Sequence, residues 1–319
     1  MRAVQITSLD GPDAVEVQEV PDPTPGDGQV LIRVHAAGVA FPEVLQTRGL
    51  YQLKPELPFV PGAEVAGEVV SAPDGSGLAA GDRVTALPLI GGFAELAVAD
   101  VDSVFALPDS VSYEVGSALP FNYLTAYFAL IERGRLAKGE SVLVHGAAGG
   151  VGTAAIQVAK AFGAGRVVAV TSTPEKGAVA LDAGADEFLL ADGFLDSVKA
   201  SGKVDVVVDP VGGDRFTDSL RSLNEDGRLL VIGFTAGQIP EVKVNRLLLN
   251  NISVVGVGWG AYALGRPGHV RREWEAVADH VASGALTPPI GATFTLEETA
   301  EALKTIDERR ATGKVLLLP

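Results

Sequence analysis

The chain has 319 residues, with 25 Lys and Arg against 40 Asp and Glu, so its formal charge is −15, and it contains no Cys. The missing thiols exclude disulfides, thiolate nucleophiles, iron–sulfur clusters and any zinc site with a sulfur ligand. The acidity argues against a general nucleic-acid or anionic-membrane surface, though not against a local anion pocket built from backbone N–H groups.

A chain of this length predicts about two domains. Its 47% apolar and 20% charged residues suit a folded protein with a large core. The four His, His35, His145, His269 and His280, lack the short spacing of a metal motif, so no metal is expected. Ser141–Ala159 and Leu247–Gly265 are uncharged but glycine-rich, too polar to span a membrane. The start, MRAVQI, has no leader-like apolar run before Asp10, which predicts a cytoplasmic protein.

In chain order, short strands are expected at Arg2–Thr7, Ala14–Val20, Gln29–Ala37, Ala63–Ala72, Arg83–Leu87 and Phe93–Val98. Pro- and Gly-rich turns separate them, the pattern of a small barrel-like β unit. The character changes near Pro120. A helix over Phe121–Glu132 leads into a strand over Glu140–Gly146 and a helix over Thr153–Phe162. Strands at Val167–Thr171, Glu187–Leu190, Val204–Asp209, Arg228–Gly233 and Ile252–Val257 then alternate with helices at Pro174–Ala183, Phe194–Ser201 and Arg215–Leu223. Six buried strands alternating with helices predict a doubly wound parallel sheet. Helices at Val270–Ser283 and Leu296–Arg310, with strands at Ile290–Phe294 and Lys314–Leu318, form a tail expected to pack back on the first unit. The expected division is 1–121 with 266–319 as one domain and 122–265 as the other.

The most informative motif is Gly146-Ala-Ala-Gly149-Gly150-Val151-Gly152, set between a predicted strand and a predicted helix. A pyrophosphate can approach such a loop closely, and the helix N-terminus offers N–H groups and a positive dipole end. The pattern is GxxGxxG rather than strict GxGxxG, and it lacks the Lys-Ser/Thr ending of a P-loop. The second strand ends in Thr171-Ser172-Thr173, where an NAD site usually carries an acidic residue. Ser172 and Lys176 are candidates to hold a 2′-phosphate, which favours NADPH. The competing reading is an ordinary capped helix with Lys176 in solvent.

Several motifs together resemble the zinc-free quinone oxidoreductase (zeta-crystallin-like) branch of the medium-chain dehydrogenase/reductases. They are Glu140–Gly152, Ala37–Tyr51, Pro61–Gly67, Tyr123–Tyr127 and Gly313–Leu316. The resemblance implies an α/β protein with a GroES-like β-barrel catalytic domain and a six-stranded Rossmann domain. It implies metal-free reduction of quinones with NADPH, or of enals and enoyl groups on the same scaffold. A non-catalytic NADPH-binding protein is the third reading. It also implies a small-molecule quinone or enone substrate and a homodimer joined at the Rossmann sheet edge. Zinc-dependent relatives keep a Cys near Ala40 and a His where Ala63 stands. Zinc-free relatives often have Asn at Ala40 and Asp at Glu43, and some have a Tyr near Ala191.

Transferred residue by residue, the resemblance places Thr125, Gly233, Phe234, Asn245, Val255, Gly256, Val257 and Lys314 at the cofactor, with Thr171 and the loop glycines. The catalytic candidates are Tyr51 and Thr125, Tyr51 as a donor to a developing oxyanion. Phe41, Tyr51 and Trp259 are candidates for an aromatic substrate wall, with core packing as the alternative for each. Tyr123 and Tyr127 read as core, His145 as a structural hydrogen-bonder, and Glu64 as either a buried structural carboxylate or a cofactor group.

Overall fold

The structure is a computed structural model that describes residues 1–263 and 265–319. The chain divides into two compact units. One comprises Met1–Phe121, Gly268–Ala278 and Pro288–Pro319, the other Asn122–Pro267 and Asp279–Thr287. The sequence division put all of 266–319 with the first unit, whereas Asp279–Thr287 packs with the second. Gln157, for instance, bridges to Thr287 through both its amide nitrogen and its oxygen.

The strands in chain order are β1 (Arg2–Ile6), β2 (Val15–Glu19), β3 (Gln29–Val39), β4 (Glu64–Ser71), β5 (Arg83–Ala86), β6 (Leu96–Asp100), β7 (Val104–Ala106), β8 (Ser141–His145), β9 (Arg166–Thr171), β10 (Glu187–Leu190), β11 (Val204–Asp209), β12 (Leu223–Val231), β13 (Ser253–Gly256), β14 (Ile290–Thr295) and β15 (Lys314–Leu318).

In the first unit seven strands form one sheet in the order β14-β15-β3-β4-β5-β7, with β6 also on β3. Long β3 alternates buried and open positions before becoming wholly buried toward Val39, so one face meets the core and then both do. Val30, Ile32, Val34, Val65, Val84, Phe93, Leu303 and Val315 share that core. The last strand, β15, pairs antiparallel with β3 through Val315↔Val39 and Leu317↔Ala37. Among the elements with no counterpart in the sequence reading, beside β7 and a short helix at Tyr113–Gly116, is a six-residue helix at Phe41–Gln46. Pro42 hides it, being a turn residue that also fits the first helical turn.

In the second unit six strands run in the order β10-β9-β8-β11-β12-β13, every neighbour parallel. Numbered within the unit, that is 3-2-1-4-5-6, the doubly wound order. Val142, Leu143, Val144, Val206, Val207 and Val208 have no exposed surface, as expected of strands covered on both faces. The predicted Arg215–Leu223 helix is shorter, Phe216–Arg221, because Leu223 already pairs with Val204 in the sheet. The predicted Phe121–Glu132 helix is α-helical over Pro120–Tyr127 and widens to a π-turn over Phe128–Arg133. Short helices at Asn245–Asn250 and Trp259–Ala263 flank β13. Among the described residues, no helix is long and apolar enough to cross a membrane.

Candidate active site

The glycine loop leaves β8 at Gly146, whose φ of +59° is the left-handed region that favours glycine. Gly149 N–H returns to the Gly146 carbonyl at 3.0 Å, closing the turn. The helix Gly150–Ala161 then begins, and its first ladder bond runs from Thr153 N–H to the Gly149 carbonyl at 2.9 Å. The N–H groups of Gly150, Val151 and Gly152 therefore precede any carbonyl that the helix could offer. A Cβ at Gly152 would lie 2.2 Å from the Gly146 oxygen, so the helix reaches its strand only with glycine there. At Gly149 the nearest atom to such a Cβ is that same oxygen at 3.4 Å. The space before the helix is thus open, and it lies at the positive end of the dipole. The loop fits a dinucleotide pyrophosphate.

Beneath the loop sit two buried polar side chains. His145 Nε2 lies 2.8 Å from Ser219 Oγ, and burial pushes the imidazole down to about 4, so it stays neutral. Asp209, at the end of β11, accepts the N–H groups of Val211 and Gly212 at 2.9 Å each. It shapes the turn next to Gly146, where Val211 packs.

At the end of β9, Thr171 is buried and donates to the Thr173 carbonyl at 3.1 Å, whereas Ser172 is exposed. Thr173 caps the Pro174–Asp182 helix by accepting Lys176 N–H at 3.3 Å. The capping expected from the sequence is therefore present, carried by Thr173. It leaves the Ser172 hydroxyl outward, and Lys176 is half-buried one turn along. Gly233 and Phe234 follow the end of β12, with Phe234 exposed near Gly212. In and after β13, Val255 is half-buried, Gly256 exposed and Val257 buried. The Gly256 carbonyl accepts Arg133 Nε at 3.0 Å. Asn245 is exposed at the start of its short helix, and Thr125 is buried in the Pro120–Tyr127 helix.

The first unit has its own polar cluster. Ala40 and Ala63 present methyl groups, and both donate their N–H to Glu43, at 3.0 and 3.1 Å. Glu43 is 1% exposed, and burial pushes its carboxyl up to about 7. Glu64 and Lys314, both buried, form an ion pair. Glu64 also accepts Phe121 N–H at 2.9 Å. Phe41 packs at the edge of the first unit's core, and Tyr51 is half-buried. Burial, then the charge of Glu43, raises the Tyr51 phenol above its ordinary value.

Two expectations change. Lys314 was expected to close the cofactor side; its ammonium is instead spent on Glu64, because a buried carboxylate needs a partner. Trp259 was expected to wall the substrate, but only 4% of it is exposed, so it packs as core. Tyr123 is core as read, its hydroxyl donating to Gln157 at 2.7 Å. The sequence reading missed the Glu43 bridge. A Glu in the third helical position reaching back to the first N–H is half of a capping box, but Ala40 lacks the hydroxyl that completes the signature. It also missed Asn122, whose amide packs against Gly150.

Comparison with known proteins agrees with this architecture. Residues 26–109 match the alcohol dehydrogenase GroES-like domain, and residues 150–283 match the zinc-binding dehydrogenase family. Quinone oxidoreductase-like protein 2 of Mus musculus is 39% identical over 99% of this chain and 91% of its own. A probable oxidoreductase from Mycobacterium abscessus superposes with TM-score 0.91 at 42% identity, covering 100% of this chain and 99% of that one. The quinone oxidoreductase from Thermus thermophilus, solved also in complex with NADPH, gives 0.87 at 34% identity over 100% of both chains. The chain belongs to the medium-chain dehydrogenase/reductases, as an oxidoreductase of their zinc-free, zeta-crystallin-like quinone oxidoreductase branch.

Proposed function

We propose that the protein is an NADPH:quinone oxidoreductase that needs no metal. The observation that carries the reading is the pair Ala40 and Ala63. Where zinc-dependent relatives place ligand side chains, this chain offers two methyl groups and gives the backbone N–H groups to Glu43. Nothing there can polarise an alcohol, but a quinone accepts hydride without a Lewis acid. NADPH is the cofactor: the Thermus thermophilus relative was solved with it, and the glycine loop leaves open space for a pyrophosphate at Gly149.

Bound NADPH supplies the hydride. The N–H groups of Gly150, Val151 and Gly152 bind the pyrophosphate, and Ser172 with Lys176 holds the 2′-phosphate. Thr125, Gly233, Phe234, Asn245 and Val255–Val257 are the residues we assign to the nicotinamide end. On the acceptor side, Phe41 offers an aromatic contact. Tyr51, held as a phenol, donates a hydrogen bond to the oxygen on which charge develops. Val244, Leu248 and Leu249 lie exposed beside the edge strand β13, which supports a homodimer through that edge. Size-exclusion chromatography with light scattering tests the dimer, with Leu248→Glu expected to yield monomer.

The test of function is NADPH oxidation against benzoquinones, naphthoquinones, enals and enoyl thioesters, before and after exhaustive chelation. Quinone turnover that survives chelation is expected. Turnover confined to enals or enoyl thioesters moves the assignment to double-bond reduction. Loss on chelation, restored by zinc, overturns the metal-free reading.

A further inference from the structure

Three ionisable side chains are buried together in the first unit: Glu43, Glu64 and Lys314, at 1%, 0% and 2% exposure. They offer two carboxylates for one ammonium. Lys314 takes Glu64, whose other oxygen is satisfied by Phe121 N–H. Glu43 is left with two backbone donors, Ala40 N–H on Oε2 and Ala63 N–H on Oε1. An ionised carboxylate accepts both bonds fully. A protonated one accepts well on only one oxygen.

The two donors belong to separate pieces of the fold. Ala40 begins the Phe41–Gln46 helix, and Ala63 immediately precedes β4. The segment between them contains both Phe41 and Tyr51. One buried carboxyl therefore bridges the two ends of the segment that carries both acceptor-side aromatics. The groups around Glu43 are few. Lys314 on β15 favours its charge and Glu64 on β4 opposes it. The Tyr51 phenol feels it. On the helix Thr299–Asp307, the nearby acid Asp307 is engaged by Arg48 through two bonds of 2.6 and 3.0 Å.

We infer that Glu43 is a positioning residue for the acceptor side: its two carboxylate oxygens tie Ala40 to Ala63 and so fix both ends of the segment that carries Phe41 and Tyr51. This rests on the assignment of Tyr51 as the acceptor's donor. The ionised form makes the tighter tie, so acceptor use should improve as pH rises through the Glu43 ionisation near 7. Holding the Phe41–Tyr51 segment in place favours the bound acceptor and the transition state alike, so the gain should appear in KM more than in kcat.

The test uses the full-length protein with 13C-labelled tyrosine. The chain has five Tyr, and Tyr51→Phe identifies the Tyr51 signal. In the wild type that signal should shift with a midpoint near 7, the Glu43 value. In Glu43→Gln the shift should vanish. Tyr113, whose ring stacks on His35 at 4.3 Å, is assigned in the same way by Tyr113→Phe, so that its signal is not mistaken for that of Tyr51. The KM for a quinone should fall roughly two- to tenfold across the same ionisation, the worth of one hydrogen bond, and become pH-independent in Glu43→Gln. NADPH affinity should be unchanged in the variant. A wild-type Tyr51 signal flat across neutral pH overturns the inference without any variant having to fold, and so does a shift that persists in Glu43→Gln. If no quinone is reduced, the functional assignment fails, while the tyrosine signal still decides whether Glu43 governs Tyr51.

Discussion

Glu64 receives the Lys314 ammonium on Oε1 and the Phe121 N–H on Oε2, the latter at 2.9 Å. The two charged residues are 250 positions apart in the chain, and both are almost wholly buried. Removing one partner strands the other charge in a low-dielectric interior. Lys314→Met should therefore cost about 3–5 kcal/mol in urea unfolding. Lys314→Met with Glu64→Gln should recover part of that loss, because a neutral amide still accepts the Phe121 N–H. A double variant no more stable than the single one would show that the ammonium acts by packing rather than by charge.

The glycine loop separates two kinds of glycine. Gly152 is needed by the fold, since a Cβ would meet the Gly146 oxygen at 2.2 Å and the Ala147 Cα at 2.7 Å. Gly149 is needed only by a ligand, since its nearest obstacle lies 3.4 Å away and its φ of −86° suits any residue. Gly152→Ala should lower the melting temperature by several degrees, the scale of a 1–3 kcal/mol overpacking cost. Gly149→Val should leave the melting temperature nearly unchanged and abolish NADPH binding by calorimetry. NADPH binding retained by Gly149→Val would show that the pyrophosphate lies elsewhere.

Much of this could be read in the sequence, because its signals are local. Valine runs such as Val204–Asp209 and the glycine loop carry their meaning within about ten residues. Thr173, Pro174 and Glu175 likewise spell a helix start. The pairing of the buried charges could not be read, because the partners are distant in the chain. Lys314 looked available to a cofactor until β15 brought it to Glu64. Glu43 carried no sign of its bridge, because nothing near it in sequence says that Ala63 lies opposite. The division of the tail failed for the same reason. Its allegiance is set by contacts such as Gln157 to Thr287, 130 residues apart.

Cofactor selectivity rests on the end of β9. With no carboxylate at the strand end to repel a 2′-phosphate, and Ser172 exposed beside Lys176, NADPH should bind at least about tenfold tighter than NADH, a difference of ~1.4 kcal/mol. Lys176→Ala should erase most of that ratio by weakening NADPH alone, since NADH has no charge for the ammonium to meet. The ratio should also shrink as salt is raised, because the pairing is partly open to solvent. Equal affinities in the wild type, or a ratio untouched by Lys176→Ala, would remove these two residues from the 2′-phosphate site.

The dependence of stability on pH should contain two opposing contributions, one in each unit. Glu43 keeps its proton in the folded state up to about 7, against an ordinary 4.5. Between those values the folded protein binds more protons than the unfolded chain, so stability falls as pH rises. His145 behaves in the opposite sense. It stays neutral in the folded state down to about 4, against an ordinary 6.5. Between those values the unfolded chain binds more protons, so stability rises with pH. Each contribution is worth about 3 kcal/mol at ~1.4 kcal/mol per pH unit, and they largely cancel from about pH 4.5 to 6.5. Glu43→Gln should expose the His145 slope, leaving a protein that gains stability up to about pH 6.5 and then levels off. Replacing His145 by Gln, which can still hydrogen-bond Ser219, should expose the Glu43 slope, with stability falling toward pH 7. Urea midpoints measured at half-unit steps for the three proteins read this directly. Parallel curves for all three would show that neither group changes its proton affinity on folding.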